Sequence, residues 1–181
     1  MTVRRTITLP TWVDRVDQAI DESWEPLRSN RMANAVFYGA SAMGDFSIIW
    51  HGINVARVAT GSADRREAAR LAIALGVESV VVNQVLKRLF ARARPADTTP
   101  RPHPLRTPST SSFPSGHASS GALAATLLAQ GSRLAPVYGA VAAVVATSRI
   151  HVRIHHASDV DAGAVVGLVM GAAVRRIMPR R

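Results

Sequence analysis

The sequence predicts an all-α fold: a transmembrane bundle of about five spanning helices, preceded by an N-terminal amphipathic helix at the membrane interface. Three observations carry that expectation. The charges sit in blocks, and the stretches between them are nearly free of charge. Three of those stretches, 118–130, 134–147 and 162–174, are apolar on all sides, as helices buried in a core or in lipid are. The N-terminal segment instead mixes apolar and charged residues with a helical period.

The 181 residues amount to one domain, 1–181, divided into an interfacial helix over 1–31 and a helical core over 32–181. Cysteine is absent, which excludes a disulfide framework and any thiolate metal site. The net charge of +10 suits the phosphates of nucleic acid, anionic lipid headgroups or a phosphorylated substrate, and does not choose among them. Arg4 and Arg5 are followed by no apolar core of signal-peptide type, so no cleaved targeting sequence is expected.

Taken in order, Trp12, Val13, Val16, Ile20, Trp24 and Leu27 recur at helical spacing, with Asp14, Arg15, Asp17, Asp21, Glu22 and Glu25 between them. Two tryptophans on the apolar side suit a membrane interface; a surface helix on a soluble core is the alternative. Residues 34–58, interrupted by Asp45 and His51, are long and apolar enough to span a bilayer, and end in the turn Thr60-Gly61-Ser62-Ala63-Asp64. A second such stretch runs from Arg65-Arg66 to Lys87 with one acid, Glu78. Asp45 and Glu78 are then expected to face protein, as hydrogen-bonded packing residues in preference to proton or headgroup contacts.

Residues 88–113 are rich in Arg, Pro, Thr and Ser with no apolar period, and read as a loop. The first two apolar helices beyond it are each about 21 Å long against a hydrocarbon layer of about 30 Å, so flanking residues must extend them. Gly163, Gly167 and Gly171 form a small-residue stripe on the last helix. It marks a close seam within the bundle or, alternatively, a homodimer face.

Three clusters carry chemistry: Lys87 with Arg94-Pro95, Pro114-Ser115-Gly116-His117, and Ser148-Arg149 with His155 and Asp159. All fall at helix ends, and in an up-and-down bundle these junctions lie on one face. Together they point to phosphoryl transfer without a metal. A helix opening near Ser115 aims unpaired N–H groups at a phosphate, Gly116 lets the backbone approach it and the Ser115 hydroxyl adds a donor. Lys87, Arg94 and Arg149 supply positive charge for the phosphoryl oxygens. Asp159 lies four residues after His155, so its carboxylate can orient one ring nitrogen and leave the other free to attack. His117, from another helix, is placed to protonate the leaving oxygen and then to activate water. A metal site built from His117, His151, His155, His156 and Asp159 is the competing use; the histidine spacing and the surrounding arginines argue against it.

At these residues the chain resembles the type 2 phosphatidic acid phosphatase superfamily, which also includes bacterial acid phosphatases and vanadium haloperoxidases. The family pattern is Lys, six residues, Arg-Pro; Pro-Ser-Gly-His; and Ser-Arg, five residues, His, three residues, Asp. The chain satisfies it at Lys87, Arg94-Pro95, Pro114 to His117, Ser148-Arg149, His155 and Asp159. The resemblance implies that His155 is the nucleophile assisted by Asp159, that His117 is the acid, and that Lys87, Arg94, Ser115, Gly116 and Arg149 bind phosphate. It also implies no metal or other cofactor, a lipid phosphate as substrate, and a multi-pass membrane enzyme with its active site on the extracytoplasmic face.

Two positions depart from lipid-specific members. Arg153 stands where a small residue is common and His156 where an aromatic one is, so a diphosphate or a phosphorylated sugar headgroup would suit the site. Arg88, Arg92, Arg101 and Arg106 either reach a second phosphate or form a solvated basic loop beside anionic lipid, the favoured reading. The expected activity is hydrolysis of a lipid phosphomonoester or diphosphate, prenyl phosphates and phospho-glycolipids ahead of phosphatidic acid. A soluble acid phosphatase, a haloperoxidase-like enzyme and a non-catalytic binder of anionic lipid are the alternatives, and nucleic acid is not an expected partner.

Overall fold

The computed structural model describes residues 9–95 and 102–180, whose regular elements are helical; Arg101 lies outside the described residues. The chain opens with α1 (Thr11–Ser23) and the single turn α2 (Glu25–Arg28). Asn30 then caps α3 (Arg31–Gly44), its side chain accepting from Met32 N and Ala33 N. After α4 (Ile48–Ala59), Asp64 caps α5 (Arg65–Val80) by accepting from Glu67 N. A π-turn over Val81–Leu86 carries α5 into α6 (Lys87–Leu89), and the three C-terminal helices are α7 (Gly116–Leu128), α8 (Ala135–His151) and α9 (Ala157–Ile177).

The stretch expected as one helix over 34–58 is two helices. Phe46 and Ser47 take left-handed backbone angles, φ 51° and 59°, and turn the chain between α3 and α4. Such angles cost a non-glycine residue on the order of 1 kcal/mol each. Gly44 shows why the turn falls there: a Cβ at this position would collide with the His117 ring, 2.9 Å from its Nε2, and stand 2.9 Å from Val145 Cγ1. The break holds α3 tight against α7 and α8 and leaves Asp45 at the rim of the site.

The packing is inverted relative to a water-soluble core. Ser119, Ser148, Arg149, His155 and Asp159 are buried, while Ile73, Val77 and Val80 on α5 and Val165, Leu168 and Val169 on α9 are more than half exposed. Each of these outward stripes follows the helical period. Among the described residues, two helices, Arg65–Leu89 and Ala157–Ile177, are long and apolar enough to cross a membrane, and only 28% and 33% of their most apolar windows is buried. A core helix of a soluble protein is buried far more fully. Against the expected five spans, α3, α4, α7 and α8 have 14, 12, 13 and 17 residues, lengths of about 18–26 Å at about 1.5 Å per residue.

The glycine stripe of α9 faces α7 within the chain. A Cβ on Gly163 would run into Ser115 O and one on Gly167 into Ser119 O, so the two helices touch backbone to backbone. Trp50, Leu71, Leu75, Leu123, Leu128 and Val145 fill the adjoining core between α4, α5, α7 and α8.

The N-terminal helix docks in a different register from the expected one. Val13, Asp17, Ile20 and Trp24 form its inner stripe, with Ile20 and Trp24 against Ala118, Ile150, Ala157 and Val160. Val16 faces outward, 48% exposed, and Asp17, expected on the polar side, is buried.

Candidate active site

Helix ends converge where the sequence placed them. Lys87 at the end of the long α5–α6 segment, Gly116 and His117 opening α7, Arg149 in the last turn of α8 and His155 just before α9 all line one cavity of about 1080 Å³. Asp45, Glu78 and Arg106 line it as well.

His155 is buried, and its two nitrogens have different neighbours. Nε2 lies 3.4 Å from Arg94 Nη1, a group that can only donate, so this nitrogen presents its lone pair. Nδ1 then carries the proton and sits 3.7 Å from Asp159 Oδ2, within ion-pair range and beyond a hydrogen bond. Burial, aided by the charges of Arg149 and Arg94 and opposed by Asp159, pushes the imidazole pKa down to about 3. A neutral ring with its Nε2 unprotonated is the nucleophilic form of histidine, and here that nitrogen faces the Arg94 guanidinium.

Asp159 is held by more than its histidine. As the third residue of α9 it accepts from His156 N at 2.9 Å through Oδ2, and from Arg92 Nη1 at 2.6 Å through Oδ1. Its backbone carbonyl accepts from Ser115 N at 2.9 Å, which ties the start of α9 to the start of α7. The two catalytic helices are thereby registered against each other by the same residue.

His117 Nε2 lies 2.9 Å from the Ser41 carbonyl and 3.5 Å from Asp45 Oδ1. A carbonyl only accepts, so Nε2 carries the proton. Asp45 is the carboxylate that would steady the ring once charged; the sequence reading favoured a packing role for it. Arg149 donates to Ser41 Oγ, so Ser41 on α3 contacts both His117 and Arg149.

The residues expected to bind phosphate divide into two sets. Lys87, Gly116 and Arg149 line the cavity. Ser115 lies beneath it as the N-cap of α7, fully buried, with Oγ 3.5 Å from Ala118 N, so its hydroxyl serves the helix end. Arg94 sits behind His155 and donates to the carbonyls of Pro108, Ile154 and Thr110 at 3.1, 2.9 and 3.0 Å. It fixes the loop over 102–111 to the histidine that it flanks.

Of the residues expected at the headgroup, the structure brings Arg106 to the cavity, its guanidinium 4.8 Å from the Phe46 ring centre. Arg153 and His156 are not among the cavity-lining residues. Arg153 pairs with Glu25 Oε2 at 2.6 Å and Asp21 Oδ2 at 3.6 Å, and His156 is the N-cap of α9. Arg92, expected in a solvated basic loop, is 9% exposed and bridges Asp159 to Asp17. Burial opposes its charge, but the two carboxylates outweigh that and raise its pKa. The clue in the sequence was Asp17 itself, an acid at the centre of the stripe that Val13, Ile20 and Trp24 define.

The family model of the PAP2 superfamily matches residues 67–181. The decaprenylphosphoryl-5-phosphoribose phosphatase of Mycobacterium tuberculosis H37Rv is 32% identical over 142 residues, covering 75% of each chain. Its counterpart in Mycolicibacterium smegmatis is 34% identical over 139 residues and 71% of each. The fold is similar to the crystal structure of a transmembrane PAP2-type phosphatidylglycerolphosphate phosphatase from Bacillus subtilis, with a TM-score of 0.73, 24% identity, and 93% of this chain and 87% of that one covered.

Proposed function

The chain belongs to the PAP2 superfamily, and from that membership we propose that it is an integral membrane phosphatase that hydrolyses a lipid phosphate through a phosphohistidine. One observation carries the reading: His155, neutral and with its Nε2 lone pair unprotonated, lines the same cavity as Lys87, His117 and Arg149. His155 Nε2 attacks phosphorus as the bond to the lipid-side oxygen breaks, and that oxygen takes the Nε2 proton of His117, which enters the step as the imidazolium and leaves it neutral. Positive charge then spreads onto the His155 ring, and Asp159 offsets it from the Nδ1 side. In the second step His117 takes a proton from water, the hydroxide attacks the phosphohistidine, and the histidine leaves neutral. Lys87, Arg149 and the N–H groups at the start of α7 hold the phosphoryl oxygens through both steps. No step draws on a metal or other cofactor.

A prenyl phospho-sugar is the favoured substrate class. The relatives named for decaprenylphosphoryl-5-phosphoribose support it, and the cavity, with Arg106 at its rim, is large enough for a headgroup beyond the phosphate. The outward apolar stripes of α5 and α9 support a multi-pass placement in the cell membrane; the extracytoplasmic face for the helix ends that carry the site follows from the family resemblance alone.

The test is phosphate release by the purified full chain in detergent from a panel of prenyl phospho-sugars, prenyl diphosphates, phosphatidylglycerolphosphate and phosphatidic acid. Turnover highest on a prenyl phospho-sugar and absent in His155→Ala is expected. Turnover undiminished in that variant overturns the mechanism, and recovery of the chain as a monodisperse species without detergent overturns the membrane placement.

A further inference from the structure

We infer that Arg92 and Asp17 are positioning residues for the reaction, acting through Asp159, so that the N-terminal helix α1 is a working part of the active site. The inference rests on the phosphohistidine reading.

The geometry is a closed ring of short, buried bonds. Arg92 Nη1 donates to Asp159 Oδ1 at 2.6 Å and to Ser158 Oγ at 2.7 Å; Nη2 donates to Asp17 Oδ2 at 2.7 Å. Asp17 closes the ring by accepting from Ser158 N at 2.8 Å and from Ser158 Oγ at 2.7 Å. The side chains of Asp159, Asp17 and Arg92 are 0%, 4% and 9% exposed. Asp14, largely exposed, is 3.6 Å from Arg92 Nη2 and adds little through water. The Arg92 backbone is fixed too: its N–H donates to Ser111 Oγ at 3.1 Å and its carbonyl accepts from Ser112 N at 3.0 Å.

Two consequences follow for Asp159. The first is positional. With one oxygen on Arg92 and the other on His156 N, the carboxylate cannot rotate away from the His155 ring. The second is electrostatic. A lone guanidinium against Asp159 would neutralise the charge that the His155 ring needs when it becomes positive. Asp17 gives Arg92 a second anion, so two carboxylates share one cation and the pair retains a net negative charge beside His155.

The test compares Arg92→Gln, Arg92→Lys and Asp17→Asn with the wild type and His155→Ala, all as full chains in detergent. Read-outs are kcat, KM, the competitive inhibition constant of inorganic phosphate, and elution as a monodisperse species. Displacing the carboxylate should lower kcat about 100-fold in Arg92→Gln and about 10-fold in Asp17→Asn, with KM and the phosphate constant within about two-fold of wild type. Arg92→Lys should fall between Arg92→Gln and the wild type, since it keeps the charge but loses the fork that reaches both carboxylates. If the variants match the wild type while His155→Ala is inactive, this inference fails and the histidine mechanism stands. If His155→Ala turns over, the mechanism itself fails. Loss of monodisperse elution, or a phosphate constant that rises with KM, would make the network a structural tether and overturn the inference.

Discussion

The two ends of the chain are attached to the bundle by different physics. At the C-terminal end, α9 meets α7 through glycines, with carbonyls of one helix lodged where the other lacks Cβ atoms. At the N-terminal end, α1 and α2 add polar and charged bonds to the apolar contact of Ile20 and Trp24. Arg28 donates to the carbonyls of Ile150 and His151 at 3.0 Å each and pairs with Glu25 at 2.9 Å, Arg153 pairs with Glu25, and Trp24 Nε1 donates to His151 Nδ1 at 3.1 Å. Close packing fixes a distance and is indifferent to the chemistry. Directional polar bonds end on particular atoms, and those of Asp17 on α1 end on Arg92 and Ser158, with Arg92 in turn holding the Asp159 carboxylate beside His155.

That contrast sets how each region should break. The largest effect belongs to the reacting group: His155→Ala should abolish phosphate release and leave elution and thermal unfolding unchanged. Next comes the packed seam. Gly167→Val places side-chain atoms on Ser119 O and should lower stability by about 3 kcal/mol or more, seen as a drop in Tm in detergent. Arg28→Ala removes bonds to three carbonyls and two carboxylates, and should cost about 1–3 kcal/mol. It should also lower kcat, because α1 carries Asp17. A seam variant that lost activity at unchanged Tm, or an Arg28 variant that lost neither, would erase the distinction.

Smaller effects sharpen it. Arg153→Gln breaks an exposed pair with Glu25 and should cost about 0–1 kcal/mol and leave KM within about two-fold, whereas Arg106→Gln at the cavity rim should raise KM. The pH profile tests the burial of His155. With its pKa pushed down to about 3, the ring stays neutral as pH falls from 7 to 5, so protonation of the nucleophile removes no activity there. Loss of kcat/KM in that window should therefore include the second ionisation of the substrate phosphate, at about pH 6, and no protonation of His155. A further titration near 6.5 would indicate an imidazole in an ordinary, solvated setting.

The convergence of Lys87, Gly116, His117, Arg149 and His155 was legible in the sequence because each sits at a helix end, and helix ends on one face of a bundle must meet. The all-helical class was legible from the segregation of charge. What escaped depends on partners far along the chain. Asp17 meets Ser158 and Arg92 at separations of 141 and 75 residues, and Arg153 meets Glu25 at 128. A helical period says which face a residue occupies but not which charge waits opposite. Arg92 therefore read as part of a solvated basic loop and Arg153 as a substrate contact, whereas both are bonded within the chain. The break at Phe46 and Ser47 was hidden for the same reason: residues 34–58 read as continuous, and the collision that Gly44 avoids is with a histidine from another helix.

The claim on which the rest depends is that phosphorus passes through His155 before it reaches water. The stereochemical course of hydrolysis tests it most directly, using a phosphomonoester made chiral at phosphorus with oxygen isotopes. Two in-line displacements, first by His155 and then by water, predict overall retention. Inversion would mean that water attacks the substrate in one step, and would contradict the account.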